Sequence, residues 1–276
     1  MRNTYSTDLS NEEWACLKNH LSASKLPCKL RAHYLREIFD AIFYVLKSGC
    51  PWRLLPGDFP PWQTVFYHFR RFRLSGLWRR AFTILRARER KRNGKDPNPS
   101  AAIVDSQSVK TTEESAGWKG YEAHKSGYDA HKHVKGRKRH LLVDTLGLPL
   151  SIYVTPADVQ DRVGARCLLA GLKPLMPRLK KIWADGAYGG APLAEWCQDE
   201  GDWDLEVVGY DKEAASFHVI SKRWIVERTF SWIGQNRRMS KDYERMAQTS
   251  ETLIEVAMIR LMLRRLVREK LVPQTQ

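Results

Sequence analysis

A polar stretch, Arg92-Asn93-Gly94-Lys95-Asp96-Pro97-Asn98-Pro99-Ser100, separates two incompatible hydrophobic periodicities, and this break constrains the fold more than anything else in the chain. Before it, apolar residues recur at helical spacing. After it, short continuous apolar runs alternate with helical patterns. The 276 residues can bury a large core, and they predict a helical domain over 1–91, a linker over 92–100 and a mixed α/β domain over 101–272.

In the first part, Ser10 followed by Glu12 and Glu13 predicts a helix start for a segment running to about Leu21. Leu35, Ile38, Phe39, Ile42, Phe43 and Leu46 predict a second helix, stopped by Gly49 and Pro51. After the turn Pro56–Pro61, a third helix puts Trp62, Val65, Phe66, Phe69 and Phe72 on one side. Its other side carries Gln63, Thr64, Tyr67, His68, Arg70, Arg71 and Arg73, a mixture of base-reading and phosphate-binding side chains. Helix, turn, cationic helix is similar to a helix-turn-helix unit; a plain helical bundle with a basic exterior has the same pattern.

The net charge of +15 is uneven. Residues 1–99 hold 19 Lys/Arg against 8 Asp/Glu, and Arg70 to Lys95 holds 11 basic residues and one acid, Glu89. Such a run repels itself without a polyanion, and predicts contact with nucleic acid. The apolar stretch Ile38–Leu46 carries Asp40, and Leu253–Val267 is broken by Glu255, Arg260, Arg264 and Arg265, so neither predicts a membrane span. No leader-like segment opens the chain, and its five widely spaced cysteines show no paired-ligand pattern; a bacterial cytoplasmic protein with reduced thiols is expected.

From residue 101 the expected elements are a strand over 101–105, a hairpin of 139–145 and 148–155, a helix over 161–176, a strand over 181–185, a helix over 191–200, a strand over 205–210, and helices over 222–238 and 252–270. Residues 106–138 read as a long basic connection holding an internal echo, Gly120-Tyr-Glu-Ala-His-Lys125 and Gly127-Tyr-Asp-Ala-His-Lys132. Its histidines, His124, His131 and His133, lack acidic or cysteine partners and read as solvated or phosphate-contacting rather than metal-binding. The basic run that follows includes Lys135, Arg137, Lys138 and Arg139 as candidate phosphate contacts.

Three isolated carboxylates stand where metal-assisted phosphodiester chemistry would use them. Asp105 and Asp185 each end an apolar run, and Glu227 lies in a helical pattern among cations. Singly, each has a plain reading: turn former, turn former, and ion pair with Arg223 four residues earlier. Together, in a basic chain, they suit hard divalent cations that clamp the attacking and leaving oxygens of an in-line displacement. At 100° per residue, Arg223, Glu227, Arg238 and Lys241 share one helix face, and these cations are candidate DNA contacts. Ser106 and Ser108 have no base beside them, which argues against a serine nucleophile.

At these motifs the chain resembles the bacterial insertion-sequence transposases of the DDE type, most closely the fifth insertion-sequence family of the wider insertion-sequence-four-like group. The matching stretches are Val104–Lys110, Lys135–His140 with Val143–Gly147, Pro156–Arg162, Ile182–Gly186, Arg223–Phe230 and Arg237–Glu244, with Gly49–Pro56 in the leading region. The resemblance implies a ribonuclease-H-like core in which Asp105, Asp185 and Glu227 bind two Mg²⁺ ions, with Mn²⁺ able to substitute. It implies cleavage of the element's terminal inverted repeats, strand transfer into target DNA, and a dimer or larger assembly on DNA. Relatives often carry a tyrosine seven residues before the glutamate and a lysine seven after; here these are Ile220 and Gly234, while Arg223 matches the arginine between them, and Arg238 or Lys241 is expected to replace the lysine. The alternative function is a catalytically inactive DNA-binding regulator of its own element.

Overall fold

The computed structural model describes residues 2–21, 32–113, 126–208 and 222–268; the first copy of the echo and Ile220 lie outside them. The chain groups into two compact units. The first comprises residues 1–93, 232–240 and 252–276, and the second residues 94–231 and 241–251.

The first unit is helical, with α1 (Asn11–Leu21), α2 (Ala32–Ser48), α3 (Trp62–Leu74) and α4 (Leu77–Arg92). Ser10 starts α1 as a reciprocal capping box: its Oγ accepts from the Glu13 backbone N–H at 3.1 Å, and the Glu13 carboxylate accepts from the Ser10 N–H at 2.9 Å. The apolar stripe of α2 is buried as its spacing predicts, and Phe39 anchors an aromatic core with Phe43, Phe72 and Trp78. Gly49 ends α2 with φ +76°, and a Cβ there would crowd the Arg237 backbone. On α3 two positions differ from expectation. Phe66 is partly exposed, packing on Trp52 and Phe69 at the edge of the aromatic core, and His68 is buried beside Phe72, where desolvation first and Arg71 second depress its pKa. A side chain that packs inward cannot read bases.

The later part of α8 (Ala247–Arg268) completes this unit: Arg260 pairs with Glu13 at 2.6 Å, and Arg79 with Glu255 at 2.8 Å. Much of the basic run is therefore used internally, since Arg86 and Arg90 are also buried and Arg92 pairs with the buried Glu89. Among the described residues no helix is long and apolar enough to cross a membrane, and Cys16, Cys50, Cys167 and Cys197 are free thiols.

The second unit is built on a mixed sheet whose described strands are β1 (Ala101–Lys110), β2 (Gly127–Asp129), β3 (Val134–Asp144), β4 (Pro149–Pro156), β5 (Lys181–Ala184) and β6 (Asp204–Val207). Their order is β2-β3-β1-β5-β6, with β4 also on β3. β3 runs antiparallel to β1, β2 and β4; β5 runs parallel to β1 and β6. Helices α5 (Asp161–Leu169) and α6 (Ala191–Gly201) supply a core of Leu168, Leu169, Leu193 and Cys197 against Ala102, Val104, Leu142 and Ile182. Helices on a mixed sheet are compatible with the ribonuclease-H-like core expected.

Two expectations change. Residues 106–138 are not all connection, because β1 continues to Lys110 and pairs with β3 down to Gly136. The sequence turns polar after Asp105, but main-chain bonds to a partner extend a strand regardless of side chain. The close approach needs Gly136, where a Cβ would lie 2.0 Å from the Val109 carbonyl oxygen. Likewise α7 (Arg223–Gly234) ends at Gly234, and Arg237–Met239 forms a separate 3₁₀ turn. Asn236 turns back onto the helix end, its backbone N–H and side-chain amide both donating to the Ile233 carbonyl.

Candidate active site

The site begins with sheet register. Parallel pairing of β1 with β5 runs Ala101↔Lys181, Ala102↔Ile182, Ile103↔Trp183 and then stops. Asp105 and Asp185 each lie two residues past that last pair, on neighbouring strands leading in the same direction. They flank the crevice beyond the carboxyl ends of parallel strands, where α/β sheets hold ligands. Asp105 is not at a strand end; it is in mid-strand, exposed to the crevice because β5 has ended while β3 still holds β1. A cleft is lined here by Ile103, Val104, Asp105, Trp183, Ala184, Asp185, Val208 and Arg223.

The electrostatics are those of two acids crowded together. Asp105 is 9% exposed, accepts the Ser106 N–H at 2.7 Å, and has a pKa pushed up to about 6. Desolvation is the main cause and the Asp185 charge adds to it, while the Ser106 N–H, Arg223 and Lys132 pull the other way. Asp185 caps the 3₁₀ turn Gly186–Tyr188, accepting the Ala187 N–H at 2.9 Å with one oxygen. Its other oxygen faces Arg223 at 3.7 Å.

Glu227 projects from α7, which docks on the β3–β4 turn through Thr229 Oγ1 to the Gly147 carbonyl at 2.8 Å and Arg228 to the Leu146 carbonyl at 3.1 Å. Gly147 has the positive φ, +81°, that this turn requires, and Asp144 accepts the Leu146 and Leu148 N–H groups within it. The Glu227 carboxylate is half exposed and pairs with Arg223 at 3.2 Å, so Arg223 joins two of the three acids. Asp105, Asp185 and Arg223 come together in the cleft, with Glu227 attached through the arginine. Among the described residues no group of three or more His, Cys, Asp or Glu side chains is disposed to hold a metal ion.

The predicted cations divide by burial. Arg137 is 1% exposed, its guanidinium 3.2 Å from Asp242 and donating to the Glu244 and Arg245 carbonyls. Arg139 is equally buried and donates to the Lys241 carbonyl; Lys138 is buried between Asp129 and Asp161. Arg238 is buried and donates to the Cys50 carbonyl. Phosphate contact at these four is corrected by their burial: each charge is consumed inside the protein. The helical-phase link of Arg238 and Lys241 to Glu227 also lapses, because α7 ends before them. Arg70, Lys135 and Lys241 are exposed, and Arg71 and Arg73 are partly so. His131 and His133 are exposed, and no metal-holding group includes them among the described residues.

Behind Asp105 lies a polar cluster that sequence reading missed. Ser106 Oγ donates to Asp161 at 2.7 Å, Lys138 pairs with Asp161 at 3.2 Å, and Ser108 Oγ donates to Asp129 at 2.5 Å. Buried Tyr188 adjoins it, its pKa raised by desolvation first and then by the Asp105 and Asp161 charges. Ser106 and Ser108 share the Val104 face of β1, a grouping that follows only once the strand is seen to continue past Asp105.

Two carboxylates brought side by side past the last paired residues of β1 and β5, on a mixed sheet with helices, mark this as an α/β domain with an acidic cleft beside its parallel strands. Residues 96–262, more than half of the chain, match the family described as Transposase DDE domain, and the chain belongs to that family. Residues 9–82 match a second family, described as "Putative transposase of IS4/5 family". A relative from Burkholderia cepacia, named "Putative transposase for insertion sequence element IS402", is 28% identical over 120 residues. That stretch covers 41% of this chain and 56% of the relative, so the chain spans little more than half the length of the curated relative it matches.

Proposed function

We propose that the protein cuts DNA at the ends of its own insertion sequence and joins those ends to target DNA, with Asp105, Asp185 and Glu227 as the acids of a metal-dependent site. The observation that carries this reading is the register of Asp105 and Asp185, side by side past the last paired residues of β1 and β5. The donor set fits a divalent cation: a buried carboxylate pushed to about 6 by desolvation and by a second carboxylate is a group that added positive charge would stabilise. Oxygen donors suit Mg²⁺, and Mn²⁺ by the same chemistry. When bound, such ions would activate a water or 3′-hydroxyl and neutralise charge on the reacting phosphate.

The chain's own residues do the rest. β1 and β5 hold the two aspartates on rigid backbone, and the Ser106 and Ala187 N–H groups orient their carboxylates. Arg223 draws Glu227 toward Asp185 and supplies positive charge facing an incoming phosphodiester. The exposed cations Arg70, Lys135 and Lys241 and the partly exposed Arg71 and Arg73 are assigned to DNA, with α3 as the reading helix of a helix-turn-helix-like domain over residues 1–91, a linker over 92–100 and the catalytic domain over 101–272. Joining two ends in one event requires at least two protomers on DNA.

The test uses a labelled duplex ending in the inverted repeats that flank the gene, with Mg²⁺ or Mn²⁺ present or chelated. Metal-dependent nicking at the repeat boundary, lost in Asp105→Asn, Asp185→Asn and Glu227→Gln proteins that still bind the duplex, is the expected result. Binding without cleavage by the wild type would replace this reading with a regulator of the element.

A further inference from the structure

The second copy of the echo, Gly127–Lys132, forms a fixed turn that sets one lysine against β1 next to Asp105. Gly127 lets β2 run against residue 158: a Cβ there would lie 2.0 Å from the Asp158 carboxylate and 2.6 Å from its backbone nitrogen. Tyr128 Oη and His133 Nδ1 are hydrogen-bonded at 3.1 Å across the turn. Buried Asp129 does the most. One carboxylate oxygen accepts the backbone N–H groups of His131 and Lys132, both at 3.1 Å. The other accepts Ser108 Oγ at 2.5 Å and faces Lys138 at 3.7 Å. Ser108 is three residues from Asp105 on the same strand, so Asp129 pins the Lys132 backbone to the strand that carries the buried acid. His133 closes the turn in the left-handed region, with φ +51°.

Lys132 itself is exposed, and its ammonium donates to the Ser106 carbonyl at 3.3 Å. That carbonyl belongs to the residue next to Asp105, and the lysine's charge is felt at the Asp105 carboxylate. One long hydrogen bond occupies one of three ammonium donors and gives little return for ordering a four-carbon side chain. The cleft's arginine, Arg223, is already shared between Asp185 and Glu227. These contacts thus fix the backbone of a turn whose product is an ammonium held at the residue next to the buried acid, with donors to spare.

Resting on the transposase reading above, we propose that Lys132 is a further catalytic residue, binding a non-bridging oxygen of the DNA phosphate that is cut at Asp105. Asp129 is its positioning residue. The ammonium would neutralise charge that grows on the phosphate as the bond to the leaving oxygen breaks, and it would transfer no proton.

The experiment compares wild type, Lys132→Ala and Lys132→Arg on two duplexes carrying the flanking inverted repeats. One is natural, and the other has a neutral methylphosphonate at the boundary phosphate. Binding is followed by fluorescence anisotropy over a range of salt, cleavage of the natural duplex with Mg²⁺, and folding by thermal melting. Lys132→Ala is expected to melt as wild type, to lose about one unit of salt slope, and to cleave about a hundredfold more slowly, the scale of removing one donor from a developing oxyanion. The deciding arm is binding. Wild type and Lys132→Arg should bind the methylphosphonate more weakly than the natural duplex, and in Lys132→Ala this penalty should shrink severalfold, to what Arg223 alone supplies. An equal methylphosphonate penalty in wild type and Lys132→Ala overturns the proposal and reduces the lysine to a brace on β1. Wild type that never cleaves, while the binding difference persists, would keep the lysine's contact and overturn the chemistry instead.

Discussion

Arg223 lies between two acids from different elements: its guanidinium is 3.7 Å from Asp185, at the end of β5, and 3.2 Å from Glu227, one turn along its own helix. A cation in that position competes with any metal the two carboxylates would share. Arg223→Gln is therefore expected to tighten Mn²⁺ binding severalfold, read by titration calorimetry on the metal-free protein, while slowing cleavage. Because the pairs are partly exposed, unfolding in urea should change by under about 1 kcal/mol. Weaker Mn²⁺ binding would mean that the arginine organises the acids rather than competing for them.

Asp105 should destabilise the metal-free fold at neutral pH. Its folded pKa of about 6 exceeds the ordinary 3.8, so the native state binds the extra proton between those values and wild-type stability falls as pH rises through that window. Asp105→Asn is expected to be more stable than wild type by about 2–3 kcal/mol above pH 6, to lose that advantage toward pH 4, and to be inactive in cleavage. Melting curves in chelator across this range decide it; an asparagine variant less stable at pH 7 would contradict the assignment.

His140 acts in the opposite sense. It is fully buried, shares a hydrogen bond with Thr155 at 2.9 Å, and its pKa is lowered to about 4, mainly by desolvation. The unfolded chain takes up a proton near 6.5 that the folded protein refuses, so stability drops as pH falls from about 6.5 to about 4, by about 3 kcal/mol in all. Following the ring by NMR titration should show no protonation at pH 5.5. Gly164 packs so closely on this ring that a Cβ would lie 2.1 Å from it, so Gly164→Ala should destabilise at every pH.

Arg137 separates internal from DNA-facing charge. Replacing it by Met removes the guanidinium 3.2 Å from the buried Asp242 carboxylate, and stability should fall by about 3–5 kcal/mol. The salt slope of DNA binding should be unchanged in whatever protein remains folded. A reduced slope with unaltered stability would return Arg137 to the DNA surface.

Gly136→Ala tests the register that extends β1. Its Cβ would meet the Val109 carbonyl at 2.0 Å and the backbone of Lys110 and Thr111 at 2.9 Å. Backbone cannot step aside as a flexible side chain can, so a loss above about 3 kcal/mol is expected from chemical denaturation.

Local chemistry is what a single sequence reports well, and the elements it describes well are those whose signals are local. The α2 stripe, the Ser10–Glu13 cap, the hairpin around Gly147 and the short strand before Asp185 all depend on neighbours within a turn or two, and the structure has them. Glu227 paired with Arg223 was also legible, as the plain alternative to a metal ligand. β1 beyond Asp105 was not, because nothing in Ser106–Lys110 announces a strand; its partner, β3, begins 24 residues after β1 ends. The end of α7 was hidden in the same way, since a glycine and an asparagine stop a helix only where the chain has somewhere else to go.

By itself the sequence determined the two periodicities, the excess of positive charge, and which acids were worth suspecting, since these are properties of residue type and spacing. Tertiary structure alone decided which charges face water. Lys135 and Arg137 are two residues apart on one strand, and one is exposed while the other is buried against Asp242, because the turn that brings Asp242 onto β1 covers only that part of β3. It also decided that Asp105 and Asp185, 80 positions apart, share one register. Parallel pairing sets that neighbourhood through main-chain bonds, and main-chain bonds are not written in any one side chain.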